Sequence, residues 1–374
     1  MEMESSGSGS ISVPYLSFNK SLWMLIVSVI CTLFVILLKI KTFKPNSIIF
    51  LLVLLCVYNY IPVLQGRILA DQTFWYHYSM VLFMPFVYVI YTNYPGNVNN
   101  LIKIFTLFSI LIVIQEFLTI LFNGYSYSSL DYKHNLRLPL AHSNIIAVIL
   151  LSILVLRISY YSGYFKGFVY NSIILLGLIL TKSRGAIIFF IAWIILLVYQ
   201  HKYGNLSKSV IAKVICGVLI IVVIIVFSPA IQKFLFKTTL DDIYFWSTAT
   251  SGRTDIFILA IELFFSNPLF GEGLGVTNYD IGYEVINTGV HNVLIDYLVQ
   301  CGIIGTLIYG YAIYLVYHKG NKKVISYKAF ENGIMVILLY SMTEVCYFNF
   351  PCLYFLWTFC GLYDRKSIIA QVVK

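Results

Sequence analysis

The chain has 374 residues, of which 60% are hydrophobic and 11% charged, and its mean hydropathy is +0.86. Repeated long apolar runs of this kind exclude a soluble globular domain and require a bilayer. The net charge of +9 does not point to nucleic acid, because the basic residues are scattered between apolar runs, where they orient helices.

Taken in chain order, the first stretch, "MEMESSGSGSISVPYLSFNK", is polar and acidic, with neither a basic n-region nor a small-residue cleavage site, so no removed signal peptide is expected. A window of roughly 20 residues then picks out eleven spans. They cover about 21–39, 47–64, 73–92, 100–122, 143–160, 165–181, 184–201, 209–228, 290–316, 330–348 and 350–363. The fold class this predicts is all-α: a polytopic transmembrane bundle of about 11 (10–12) spans forming one integral membrane domain over 1–374. Two connections are long, 123–142 and 229–289; the second is a large extracytoplasmic loop between spans 8 and 9. The seven cysteines lie in or beside apolar runs without a C-x-x-C pair, and read as buried apolar side chains. No His/Cys cluster has metal-ligand spacing, and no cofactor or metal is expected.

Alternate connections divide the 25 basic residues unequally. One set holds sixteen, among them Lys41, Lys103, Arg157, Lys166, Lys323 and Arg365, while the other holds nine. The richer side is predicted to be cytoplasmic. The N-terminus, both long connections and the corner "TKSRG" (181–185) then face outside. That placement singles out Arg184. An arginine that snorkels from a helix end belongs chiefly on the cytoplasmic face, whereas this one, with Lys182, Arg137, His142, Arg253 and His291, collects on the other. The cluster points to an anion-binding outer surface.

Within the second long connection, "SGRTDIF" (251–257) places Asp255 and Arg253 in the first turn of a helix too short to span, stopped by Asn267-Pro268. Backbone N–H groups and the dipole at such a start favour an anion. "GEGLG" (271–275) lacks the strand, helix and lysine of a phosphate loop and reads as a flexible turn. Next, Asn292, Asp296 and Gln300 follow i, i+4, i+8 spacing, a polar stripe descending from His291 into an apolar span. Gly302 and Gly305 are expected to permit close helix packing below it. Glu116, the other intramembrane carboxyl, either lines the same cavity or serves a structural hydrogen bond.

Five segments in this order, "RLPLAHSN" (137–144), "TKSRGA" (181–186), "SGRTDIF" (251–257), "NPLFGEGLG" (267–275) and "VHNVLIDYLVQCGIIG" (290–305), resemble the O-antigen ligase and O-antigen polymerase superfamily. The resemblance covers about residues 135–310. It implies a membrane glycosyltransferase with one large periplasmic loop. Its corner arginine falls on Arg184, its periplasmic-helix arginine on Arg253 and its histidine on His291, the catalytic set. Arg137, His142, Lys182, Asn292 and Asp296 are the expected substrate-binding residues. This chain has "AHSN" where the family often has "H-P-N", with Ser143 in place of proline, and eleven spans where the family commonly has twelve.

The resemblance further implies a donor glycan on undecaprenyl diphosphate, passed to a sugar hydroxyl. The reaction is expected to be polymerisation of O-antigen, capsular or exopolysaccharide repeats, with ligation onto lipid A core as the alternative. The expected partners are that lipid-linked oligosaccharide, membrane lipid and a chain-length regulator protein, with no nucleic acid. The expected location is the bacterial inner membrane, with the site facing the periplasm. The rival from another class is a lipid-linked glycan flippase. It predicts internal repeats and helices broken near the midplane, and the sequence shows no convincing repeat.

Overall fold

Helices form where the apolar runs lie, and short polar residues start them. The computed structural model describes residues 26–27, 29–34, 37, 46–123, 143–161, 167–203, 253–275, 278–280, 285–287, 290–319, 325–343 and 349–365. The first fully described helix, α1 (Ser47–Leu64), is capped by Asn46, whose side chain accepts from the Ile49 N–H at 2.9 Å. The second, α2 (Gln72–Thr92), is capped by Asp71, which accepts from the Phe74 N–H at 2.8 Å. Each cap satisfies a first-turn donor that hydrocarbon would otherwise strand. There follow α3 (Val98–Asn123), α4 (Ser143–Tyr160), α5 (Phe168–Leu180) and α6 (Arg184–Tyr203). In the long second connection lie α7 (Arg253–Ser266) and two short strands, β1 (Asn278–Asp280) and β2 (Val285–Asn287), paired antiparallel. The chain ends with α8 (Val293–Lys319), α9 (Ile325–Ser341) and α10 (Phe350–Tyr363).

The helical bundle predicted from hydropathy is the observed architecture, with the three-residue hairpin as a small addition. Five of the described helices are long and apolar enough to cross a membrane: α1, α2, α3, α4 and α8. The expected span at 209–228 and residues 124–142 of the first long connection lie outside the described residues, as does most of 21–39.

α4 is apolar all round, and it occupies the centre, buried almost without interruption from Ser143 to Ile158. Around it pack α3, α5, α6, α9 and α10, while α1 pairs with α2 and α8. The outer faces of α1 (Phe50, Val53, Val57) and α3 (Leu107, Leu111, Phe117, Leu121) are exposed and apolar. Such faces suit contact with lipid.

Several polar contacts between elements mark the two ends of the bundle. At one end the Asn46 amide donates to Asp364 (2.9 Å), Arg365 to the Gly96 carbonyl (3.1 Å), Tyr161 to Asn99 (2.8 Å) and Asn332 to Ser159 (2.9 Å). At the other, Arg67 donates to the Gly271 carbonyl (3.2 Å), Ser183 bonds Tyr340 (2.7 Å) and Asn292 donates to the Met342 carbonyl (3.0 Å). The first end is the one the basic-rich connections share. Alternation read from charge and alternation read from contacts therefore agree.

Candidate functional site

The basic-poor end gathers around the last turn of α9. α5 stops at Thr181, whose hydroxyl donates back to the Leu178 carbonyl (2.7 Å) and accepts weakly from the Ser183 N–H (3.3 Å). That local bonding competes with helix continuation and turns the chain through Lys182 into α6, which Arg184 opens. Ser183 is buried and holds the hydroxyl of buried Tyr340, while Gly185 lies against Tyr340 and Thr343. On the other side of the same turn, Asn292 caps α8. Its side-chain oxygen accepts from the Leu294 and Ile295 N–H groups (3.0 and 3.1 Å), and its amide donates to the Met342 carbonyl. Tyr340–Thr343 thus brings the Lys182–Arg184 corner and the His291–Asn292 turn to one place.

Backbone conformation marks the same two turns. Among the described residues, Lys182 and His291 are the two non-glycine positions with positive φ, 54° and 55°. Each such residue costs about 1–3 kcal/mol, and retained strain of this kind clusters at functional sites. Arg184 is exposed and His291 partly so. Desolvation at the corner draws the Lys182 ammonium below its ordinary pKa, and an adjoining anion would reverse that shift.

Below this surface α8 is not continuous. Gly302 has φ 63° and ψ −172°, which breaks the helix nine residues in, about 14 Å along its axis. The carbonyls and N–H groups freed there are taken up by residues 268–273. Glu272 and Gly273 donate to the Val299 and Gln300 carbonyls (2.8 and 3.0 Å). Ile303 and Ile304 donate to the Pro268 and Leu269 carbonyls (2.9 and 3.2 Å). Tyr58 donates to the Cys301 carbonyl at 2.8 Å. The expectation of a flexible turn at "GEGLG" is corrected by this packing: Gly271, Gly273 and Gly275 all have positive φ, and the segment is docked against a broken helix. Gly302 likewise does more than admit a neighbouring helix. A Cβ there would sit 2.4 Å from the Leu269 oxygen, and one on Gly271 would sit 2.5 Å from the Gly302 nitrogen. An interrupted helix is one of the two features expected of a transporter, and α8 supplies it.

The polar stripe has a structural share. Asp296 is buried, and it accepts from the Gln300 amide at 2.9 Å; Gln300 in turn accepts from the Gly275 N–H at 3.0 Å. Asp296 therefore braces the docked segment rather than meeting the surface. Glu116 does not share this network. Its carboxyl is buried between α3 and α5, 3.2 Å from where a Cβ on Gly177 would stand, and among the described residues neither oxygen has a hydrogen-bond partner.

Of the remaining expected residues, Arg253 does open α7, as read from its sequence. α7 packs on α8 through a small core of Ile256, Ala260, Val290 and Val299. Ile256 lies one turn after Arg253, and Val290 immediately precedes His291, so α7 begins in the neighbourhood of the site. The Arg253 side chain, Arg137 and His142 lie outside the described residues. Sequence reasoning missed Tyr340 and Ser183. A tyrosine in a chain with 30 of them carries no distinguishing signal.

One stretch of the chain contains the corner, α7, the docked glycine segment and the His291 turn. Residues 169–310 match the O-antigen ligase family. The match supports the O-antigen polymerase and ligase superfamily and with it a membrane glycosyltransferase-like activity in general. The matched segment starts within α5 and ends within α8, so it omits "RLPLAHSN" from the set of resembling motifs. No curated protein and no solved structure matches the chain.

Proposed function

We propose that the chain is a polysaccharide polymerase that transfers a growing glycan from undecaprenyl diphosphate to the terminal sugar hydroxyl of another lipid-linked repeat unit. The observation that carries this reading is the convergence of the Lys182–Arg184 corner and the strained His291 turn on the last turn of α9. In the proposed step the acceptor oxygen attacks the anomeric carbon and the bond from that carbon to the diphosphate oxygen breaks. The hydroxyl proton goes to the His291 imidazole, and the lipid diphosphate leaves with the bonding electron pair. Arg184, with Arg253, supplies planar two-donor contacts to the developing phosphate charge. Lys182, Arg137 and His142 extend the anionic-donor surface, while Asn292 and Asp296 hold the His291 turn and its supporting segment. Diphosphate is a good leaving group, so the reading needs no metal.

The positive-inside bias supports a periplasm-facing site in a bacterial inner membrane, and a chain-length regulator protein is the proposed protein partner. The description of the matching family favours a second reading, ligation of finished glycan onto lipid A core. A deletion strain separates the two: a ladder reduced to one repeat per core supports the polymerase, and bare core supports the ligase. The base assignment is tested by purified His291→Ala, which should lose about 10²–10⁴ in rate while keeping its abundance and donor binding. Wild-type elongation by His291→Ala would end the assignment.

A further inference from the structure

At the opposite, basic-rich end, Arg157 in the last turn of α4 is only 4% exposed. An arginine that merely marks a membrane surface extends its head into water; this one is locked in place. Its Nε donates to Asn171 (3.0 Å) and its Nη1 to Thr106 (2.6 Å), and its guanidinium lies 5.3 and 5.4 Å from the Tyr161 and Tyr170 ring centres. Among the described residues no carboxylate pairs with it. The C-terminal dipole of α4 offsets part of the charge, but a buried cation ordinarily has a full anionic counterpart.

Beside the guanidinium is a crevice of about 500 Å³ between α3 and α5, lined by Lys103, Thr106, Leu107, Ile110, Arg157 and Tyr170 among others. Gly167 keeps the space at Nη2 open, since a Cβ there would stand 2.7 Å from that nitrogen. A second cation, Lys103, stands at the crevice, and α5 begins there without a side-chain cap. The flanking residues Ile104, Leu107 and Leu111 of α3, with Phe168, Val169 and Tyr170 of α5, are exposed and apolar. They offer a wall for hydrocarbon.

Two cations in a crevice that continues into a lipid-facing apolar wall fit one ligand chemistry, a phosphate headgroup attached to acyl chains. We propose that this crevice binds an anionic phospholipid of the basic-rich leaflet, its phosphate between Lys103 and Arg157 and its chains along α3 and α5. The site lies at the end of the bundle opposite to His291, and it stands whichever transfer reaction the chain performs.

The test is native mass spectrometry of the purified full chain after exposure to equal amounts of phosphatidylglycerol and phosphatidylcholine. Wild type should retain phosphatidylglycerol preferentially. Lys103→Gln removes an exposed charge with little risk to folding, and it should reduce that preference about tenfold, the effect of one charge-assisted hydrogen bond. Arg157→Gln should reduce it at least as much, whereas Lys328→Gln, an exposed charge on α9, should leave it unchanged. Undiminished preference in Lys103→Gln overturns the proposal, and so does equal retention of phosphatidylcholine by wild type. Millimolar inorganic phosphate should fail to displace the lipid. Full displacement would show a free-phosphate site and overturn the lipid assignment.

Discussion

Replacing Gly302 with alanine tests whether the docked segment beneath the candidate site is structural. The backbone there, at φ 63° and ψ −172°, is in a region essentially reserved for glycine, and holding alanine in it costs about 1–3 kcal/mol. The new Cβ would also lie 2.4 Å from the Leu269 oxygen and 2.5 Å from the Gly271 nitrogen. Both are backbone atoms, so no rotamer change relieves the overlap, and residues 267–275 must move. Movement endangers the backbone bonds from Glu272, Gly273, Ile303 and Ile304, each contributing about 0.5–1.5 kcal/mol. If only half of that bonding is lost, the total destabilisation is still roughly 2–6 kcal/mol. Thermal unfolding in detergent micelles should show a large drop, and amide exchange should accelerate first at Glu272 and Gly273. Gly310→Ala is the control, because nothing lies within 4 Å of its added Cβ in the same helix; it should be neutral or stabilise by up to about 1 kcal/mol. Gly302→Ala melting at the wild-type temperature with unchanged exchange would refute the reasoning.

Tyr340→Phe should slow transfer and lower stability by about 0.5–1.5 kcal/mol; adding Ser183→Ala should change little more, and fully additive losses would count against a shared bond. Asn292→Ala should lower stability by about 0.5–2 kcal/mol through loss of the helix cap. Asn292→Ser retains the cap but not the bond to Met342, and should melt between Asn292→Ala and wild type; an alanine variant as stable as wild type would remove the structural share from Asn292. Lys182→Gly relieves a left-handed backbone and should raise stability by about 1 kcal/mol while weakening donor binding, measured by melting and by retention of lipid-linked glycan. A lower melting temperature would mean that Lys182 side-chain contacts outweigh the strain.

Hydropathy and charge were sufficient to read the helical architecture, because in hydrocarbon every backbone polar group must be satisfied within its own segment. The apolar runs at 47–64, 143–160 and 350–363 return as α1, α4 and α10 with the same bounds. The alternation of basic residues likewise anticipated which connections meet, from Asn46 with Asp364 to Ser183 with Tyr340. Arg184, Arg253 and His291 were legible as candidates because charges and a histidine stand out in so apolar a chain.

What no local pattern announced depends on residues far apart in sequence. That Lys182 and His291 share left-handed backbone is a property of the fold around each turn, and neither residue type encodes it. The docking of "GEGLG" became visible only when Gly271 met Gly302, since a glycine free in sequence and a glycine required by a backbone approach look identical until the approach is seen. Asp296 and Glu116 read alike as intramembrane carboxyls. Their difference lies in Gln300, one helical turn from Asp296, and in the apolar surroundings that α4 and α5 provide for Glu116. A carboxyl in low dielectric takes its role from whichever donors the folded helices bring to it, and tertiary packing alone decides that.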